Sequence, residues 1–151
     1  KQNKYITFLY LQIKTMYPSE LIKPMREELT GVGFKELQTP VDVDNALSQS
    51  GTTLVVVNSV CGCAAANARP AVRYALAHEK NPTHLCTVFA GVDFEATEAA
   101  RAKMIPFPPS SPSIALFKKG QLVHMIERHH IEGRPAEMIA ENLKAAFDEH
   151  C

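Results

Sequence analysis

The chain has 151 residues, 46% hydrophobic and 21% charged, which places it among single globular domains able to bury a core and outside disordered or collagen-like sequences. Lysine plus arginine and aspartate plus glutamate number 16 each, so no net field gathers nucleic acid or an anionic membrane, and neither is an expected partner. The longest apolar stretch, residues 5–13, falls far short of the roughly 20 apolar residues of a spanning helix.

Residues 1–15 lead with that greasy stretch but lack an adjacent small-residue cleavage site, and Met16-Tyr17-Pro18-Ser19-Glu20 reads like an ordinary protein start. Residues 1–15 are therefore expected to be a non-native or disordered extension, and 16–151 a single domain. From residue 19 to 29, Leu21, Ile22, Met25 and Leu29 recur at helical spacing, with Ser19 as cap and Gly31 as stop, although Pro24 argues for a start near Lys23. Thr39-Pro40, a cap followed by proline at the first helical position, opens a second helix toward Ser50 that carries Val43, Ala46 and Leu47 on one side. Residues 52–58 form a β-branched run apolar on both faces, as buried parallel strands are.

Cys61-Gly62-Cys63 follows, and then an alanine-rich segment, residues 64–77, predicted to be a helix kinked at Pro70. Residues 85–90 read as a second buried strand and 93–103 as a helix opened by an aspartate cap. Residues 113–117 and 122–126 read as two strands joined by a loop containing Gly120, and 135 to about 149 as a closing helix. This order predicts an α/β domain with a central sheet flanked by helices.

Disulfide exchange needs a thiolate at ambient pH, and a cysteine at a helix N-terminus gains one because unpaired backbone N–H groups and the helix dipole favour an anion. Cys61 stands between strand and helix for this, and residues 51–78 contain no Asp or Glu to oppose it, with Arg69 and Arg73 the formal charges nearby in sequence. A bridge from Cys61 to Cys63 spans one residue, near the short limit of disulfide geometry, so it is expected to be strained and oxidising. Such a pair either donates disulfides or reacts with external thiols through a single cysteine, and Gly62 allows the backbone angles that a tight closure demands.

Two other readings of the pair stay open. Both cysteines are small residues that proteins often bury, and both are soft ligands that a metal carrier could combine with His84, His129 or His130, although no second pair stands at zinc-site spacing. Four cysteines, two of them this close, fit a reducing compartment better than a disulfide-dense secreted scaffold, and the cytoplasm is the expected location. Cys86, inside a strand, reads as a core cysteine. Cys151, the last residue, is either a mobile resolving thiol or a spectator on a frayed end. His129 and His130 are expected in an exposed loop, and Ser111-Pro112, just before the strand at Ser113, is a candidate cis bond.

Strand, cysteine motif, kinked helix, strand, helix, Ser-Pro, strand, strand and helix, in that order, resemble the thioredoxin fold. The fold class expected is α/β, thioredoxin-like, with a central mixed sheet of about four strands, an extra N-terminal helix, and Ser111-Pro112 at the position of the cis-proline. More closely, Met25-Arg26-Glu27-Glu28-Leu29-Thr30, the run from Thr53 through Cys61-Gly62-Cys63 to Ala65, Ala68-Arg69-Pro70-Ala71, Val88-Phe89-Ala90-Gly91, Pro109-Ser110-Ser111-Pro112-Ser113 and Ile131-Glu132-Gly133-Arg134 resemble the bacilliredoxin family. The match covers about residues 16–151.

The resemblance implies reduction of mixed disulfides between bacillithiol, a low-molecular-weight thiol, and cysteines of other proteins. Bacillithiolated proteins are then the substrates, bacillithiol the co-substrate with no bound cofactor, and a thiol or flavoprotein reductase the regenerating partner. Cys61 is the implied attacking thiolate, onto whose sulfur bacillithiol moves. Cys63 either resolves that adduct or stays silent while a second thiol does so, and Pro112 packs opposite Cys61. Gly62, Ser111 and Arg69 make up the implied substrate-binding set, with Arg69 either meeting an anionic thiol or facing solvent. The C-x-C spacing, and Asn58 where an ordinary thioredoxin buries an acid, set the chain apart from dithiol thioredoxins. A general disulfide isomerase or oxidant at the same site is the alternative activity.

Overall fold

Residues 17–151 are described by the structure, a computed structural model; the expected extension, residues 1–15, and Met16 lie outside the described residues. Helix α1 spans Ser19–Thr30, a turn earlier than Pro24 suggested, and its N-cap is Pro18 in place of Ser19. Pro24 lies on the exposed face, where the Glu20 carbonyl that loses its usual donor is open to water. The helix ends at Thr30 with Gly31 as its C-cap, as expected, and the left-handed residue that closes the end is Gly33 at φ 101°. There the Phe34 N–H reaches the Leu29 carbonyl and the Gly33 N–H the Thr30 carbonyl, the paired bonds of a Schellman end, which needs a left-handed residue at Gly33.

Strand β1, Lys35–Glu36, has only two residues, too few to leave a periodic signal; it exists because Lys35 and Glu36 pair in parallel with Cys86 and Thr87 of β3, His84–Phe89. Helix α2, Pro40–Leu47, starts on the expected Thr39 cap. The Thr39 hydroxyl accepts from the Asp42 N–H at 3.1 Å, and the Asp42 carboxylate accepts from the Thr39 N–H at 3.2 Å. Strand β2, Thr52–Asn58, is buried throughout. Beyond the cysteines the chain makes a π-helical turn, Ala64–Ala68, and then α3, Arg69–Ala75. The distortion expected at Pro70 takes this form: proline has no N–H to bond four residues back, and the Arg69 N–H bonds five residues back, to Ala64, widening the turn just ahead of the ring.

Helix α4, Phe94–Ala102, begins after Asp93, but the Asp93 side chain does not cap it. Its carboxylate takes two bonds from Arg26 of α1, at 2.8 and 3.1 Å, while Arg26 also bonds Glu36 at 3.0 Å and lies over the Phe89 ring. Strands β4, Ser113–Lys118, and β5, Gln121–Ile126, form the expected hairpin. Its two-residue turn, Lys119-Gly120, has positive φ at both positions, as a type I′ turn requires. A 3₁₀ turn, Arg128–His130, and helix α5, Ala136–His150, complete the chain.

The sheet order is β1-β3-β2-β4-β5, so it has five strands where about four were expected. The parity of β2 separates two core layers. Leu54 and Val56 face Leu29, Ala71, Val72, Leu143 and Phe147 of α1, α3 and α5, whereas Val55 and Val57 face Val43, Leu47, Ala96 and Ala100 of α2 and α4. Register then gathers the loops that matter at one edge. Asn58 pairs with Phe89, Val57 with Ser113 and Ile114 with Ile126, so the segments just outside these residues, 59–61, 90–91, 111–112 and 127–128, converge beyond the end of β2.

Candidate active site

Cys61 lies at that convergence as the last residue before the helical run, its carbonyl accepting from the N–H groups of Ala64 and Ala65 at 3.1 and 3.3 Å. It therefore holds the N-cap position, where a side chain of acceptor character meets unpaired backbone N–H groups. The Ser59 hydroxyl is 3.1 Å from its sulfur, and Ser59 itself is fixed because its N–H donates to the Asn58 side chain at 2.9 Å. Burial opposes a thiolate at Cys61, but hydrogen bonds from the Cys63 thiol, the Ser59 hydroxyl and the Ala64 N–H, with the charge of Arg128, outweigh it and hold the thiol below its usual range. Cys63 moves the other way: burial, donation to Cys61 and the Cys61 charge all push its thiol up. Neither sulfur is in a disulfide, and of the two it is Cys61 whose thiolate is favoured, with Cys63 as its hydrogen-bond donor.

A cleft of about 350 Å³ opens over Cys61 and is lined also by Tyr17, Ser59, Ser111, Arg101 and Arg128. Ser111-Pro112 is cis, and Pro112, the residue after the cleft-lining Ser111, is buried. Arg128 donates to the Ser111 carbonyl at 3.1 Å, and its backbone N–H reaches the Ser110 hydroxyl at 3.4 Å. One arginine thus joins the proline loop to the sulfurs. Ser59, Arg101 and Arg128 join the site without being among the candidate site residues that the sequence singles out. Ser59 was within its reach, two residues before Cys61, whereas Arg101 and Arg128 approach only through the fold.

Arg69 is neither at the substrate surface nor facing solvent. It is 2% exposed, ion-paired with Glu28, and donates to the Asn58 side chain at 3.0 Å and the Ser59 carbonyl at 2.9 Å. The alanine-rich segment that offered no acid in sequence meets one from α1, and a buried guanidinium takes up the space beside Asn58, itself 1% exposed. Arg69 therefore positions Ser59 and does not contact an incoming thiol. Gly62 also differs from expectation: its φ is not positive, and nothing lies within 4 Å of where a Cβ would stand, so what it provides is open space beside the sulfurs.

Cys151 is exposed, and its neighbour Asp148 bonds His78 just past the C-terminal end of α3. Cys61 is at the other end of that helical run, about 20 Å away at 1.5 Å per residue, so Cys151 of the same chain is out of resolving range. Cys86 is buried in the core, its thiol pushed up by that burial. The ligand set of a carrier is not assembled among the described residues. Among the described residues, Glu127, His129 and His130 bring possible ligand atoms within 4.8 Å of one another, without either sulfur, and the His84 ring meets the Ser50 carbonyl. His129 and His130 are exposed, as expected, on the 3₁₀ turn.

The sequence model of the family described as Disulphide isomerase matches residues 17–151. A bacilliredoxin of Cytophaga hutchinsonii is 58% identical over 134 residues, covering 89% of this chain and 99% of that protein. A bacilliredoxin of Halalkalibacterium halodurans is 55% identical over 136 residues, covering 89% and 94%. Among solved structures, a Malassezia sympodialis thioredoxin superposes with a TM-score of 0.54 at 14% identity over 78% of this chain and 90% of that one. The oxidised mitochondrial thioredoxin 3 of Saccharomyces cerevisiae does so at 0.53 and 15% identity, over 81% and 98%. At those identities the solved structures establish the thioredoxin fold alone, and kinship rests on the sequence relatives.

Proposed function

This chain belongs to the bacilliredoxin family and is a thiol-disulfide oxidoreductase, and from that premise we propose that it reduces bacillithiol–protein mixed disulfides through the Cys61 thiolate. The observation that carries this reading is the opposite displacement of the two thiols, Cys61 down and Cys63 up, with Cys61 lining the cleft. The Cys61 thiolate attacks the bacillithiol sulfur, the bond to the substrate cysteine breaks, and that cysteine leaves as a thiolate and takes a proton. Bacillithiol is now disulfide-bonded to Cys61. A second thiol then attacks the adduct. If it is Cys63, bacillithiol leaves and a Cys61–Cys63 disulfide forms, which needs two electrons from a thiol or flavoprotein reductase. If it is free bacillithiol, the symmetric bacillithiol disulfide leaves and Cys61 returns as a thiolate.

Bacillithiol acts here as a co-substrate and not as a bound cofactor. A reducing compartment, the cytoplasm, suits two free, half-buried thiols this close in sequence; no helix among the described residues is long and apolar enough to cross a membrane. The test is turnover of one bacillithiolated protein beside a scrambled disulfide protein that carries no bacillithiol, with wild type, Cys61→Ser and Cys63→Ser. Release of bacillithiol that depends on Cys61, with little rearrangement of the scrambled protein, supports the proposal. Equal turnover of both makes the protein a general isomerase.

A further inference from the structure

Arg101, in the last turn of α4, lines the same cleft as Cys61 and Arg128. It differs from the other arginines around the site. Arg26 holds Glu36 and Asp93, Arg69 holds Glu28, Asn58 and Ser59, and Arg128 holds Ser111 and Glu132. The Arg101 guanidinium has no ion pair and no hydrogen-bond acceptor among the described residues, and its Nε is buried without a partner. Burial pushes its pKa down, the direction expected of a cation without a counter-charge. A partly buried donor set with nothing to donate to is costly, and the group best shaped to relieve it is a carboxylate, which accepts from the guanidinium fork.

The rest of the lining agrees in sign. Two arginines and the hydroxyl-bearing Tyr17, Ser59 and Ser111 line the cleft, and among the described residues no acidic one does. Its volume, about 350 Å³, lies in the range of small-molecule pockets.

We propose that Arg101 is a specificity-determining residue of this cleft, seating a carboxylate of the small thiol while Arg128 stays with the sulfurs. This inference rests on Cys61 being the attacking thiolate. Seating the small thiol beside Cys61 decides which sulfur is attacked. Cys61 forms its new bond to the small thiol's sulfur, the old disulfide breaks, and the protein cysteine departs as a thiolate that is protonated from solvent. One disulfide replaces another, so the step needs no outside electrons. Arg101 acts as a binding and orienting residue, and its loss should appear in KM before kcat.

The experiment loads one carrier protein with mercaptosuccinate, 2-mercaptoethanol or cysteamine as mixed disulfides, giving an anionic, a neutral and a cationic probe. Wild type, Arg101→Gln and Arg101→Lys are compared on all three. The expected result is a wild-type preference for mercaptosuccinate over cysteamine of about ten-fold, the size of one charge-assisted hydrogen bond. Arg101→Gln should lose about ten-fold more on mercaptosuccinate than on 2-mercaptoethanol, through KM, and Arg101→Lys should recover part of it. Equal losses on all three probes, or none, would overturn the assignment. Cys61→Ser on the neutral probe separates the two claims. Exchange that survives it rejects the Cys61 route, whereas Cys61-dependent exchange without carboxylate preference rejects the Arg101 site alone.

Discussion

Two helices of this protein begin with the same unmet need and satisfy it with opposite chemistry. At α2 the free N–H groups are met by the Thr39 hydroxyl and the Asp42 carboxylate, a proline fills the first position, and the end is closed. At Cys61 the acceptor is sulfur, the next residue is a glycine with open space beside it, and a cleft stands over the end. The helix start favours an anion in both cases. A carboxylate is already charged at neutral pH, so at α2 the preference becomes stability. A thiol must lose a proton to answer it, so at Cys61 the same preference becomes a nucleophile.

The sharpest way to break the comparison is to remove the sulfur. Cys61→Ser keeps an N-cap acceptor and loses the nucleophile; release of the small thiol from a mixed disulfide should fall by at least about a thousand-fold, with the melting temperature little changed. Cys63→Ser should keep the first exchange step, which needs only Cys61. Next comes the support beneath the site. Glu28→Ala leaves the buried Arg69 charge without its ion partner and should cost roughly 3 kcal/mol in denaturant unfolding, with Cys61 reactivity disturbed through Ser59.

A smaller effect is expected from Ser59→Ala and Arg128→Gln, each of which removes one stabiliser of the thiolate. Attack by Cys61 rises with pH through its folded-state pKa, so both variants should move that rise to higher pH and slow exchange several-fold at neutral pH. Stability should follow the linkage signs. The Cys61 contribution is present above the unfolded thiol's pKa and fades as pH falls through the lowered folded value. That of Cys63 is present below the unfolded pKa and is lost as pH rises through its raised one. The smallest effect is Thr39→Ala, which should cost about 1 kcal/mol of stability and leave the rate of Cys61 exchange alone.

Much of this arrangement is legible in the residues. Thr39-Pro40, the doubly apolar run of β2 and the hairpin at Lys119-Gly120 are local signals, and they mark the elements they were expected to mark. Cys61 at a strand-to-helix turn is local too, as is Ser111-Pro112 ahead of a strand. What escaped is whatever depends on side chains meeting across the fold. Arg69 looks like a free charge on a helix until α1 brings Glu28 to it, and Arg128 is 67 positions from Cys61 until the pairing of β4 with β5 returns it to the sulfurs. The two-residue β1 is too short to show a period, and the distance of Cys151 from the site is set by the length of the whole helical run from Gly62 to Ala75.

The most direct test of the account is the pH dependence of alkylation at each cysteine, read by mass spectrometry on the reduced protein. The account predicts that Cys61 is modified first and titrates below the roughly 8.5 of a free thiol, that Cys63 follows only at higher pH, and that Ser59→Ala moves the Cys61 curve up. A Cys63 that titrates first, or a Cys61 curve indistinguishable from a free thiol, would contradict it.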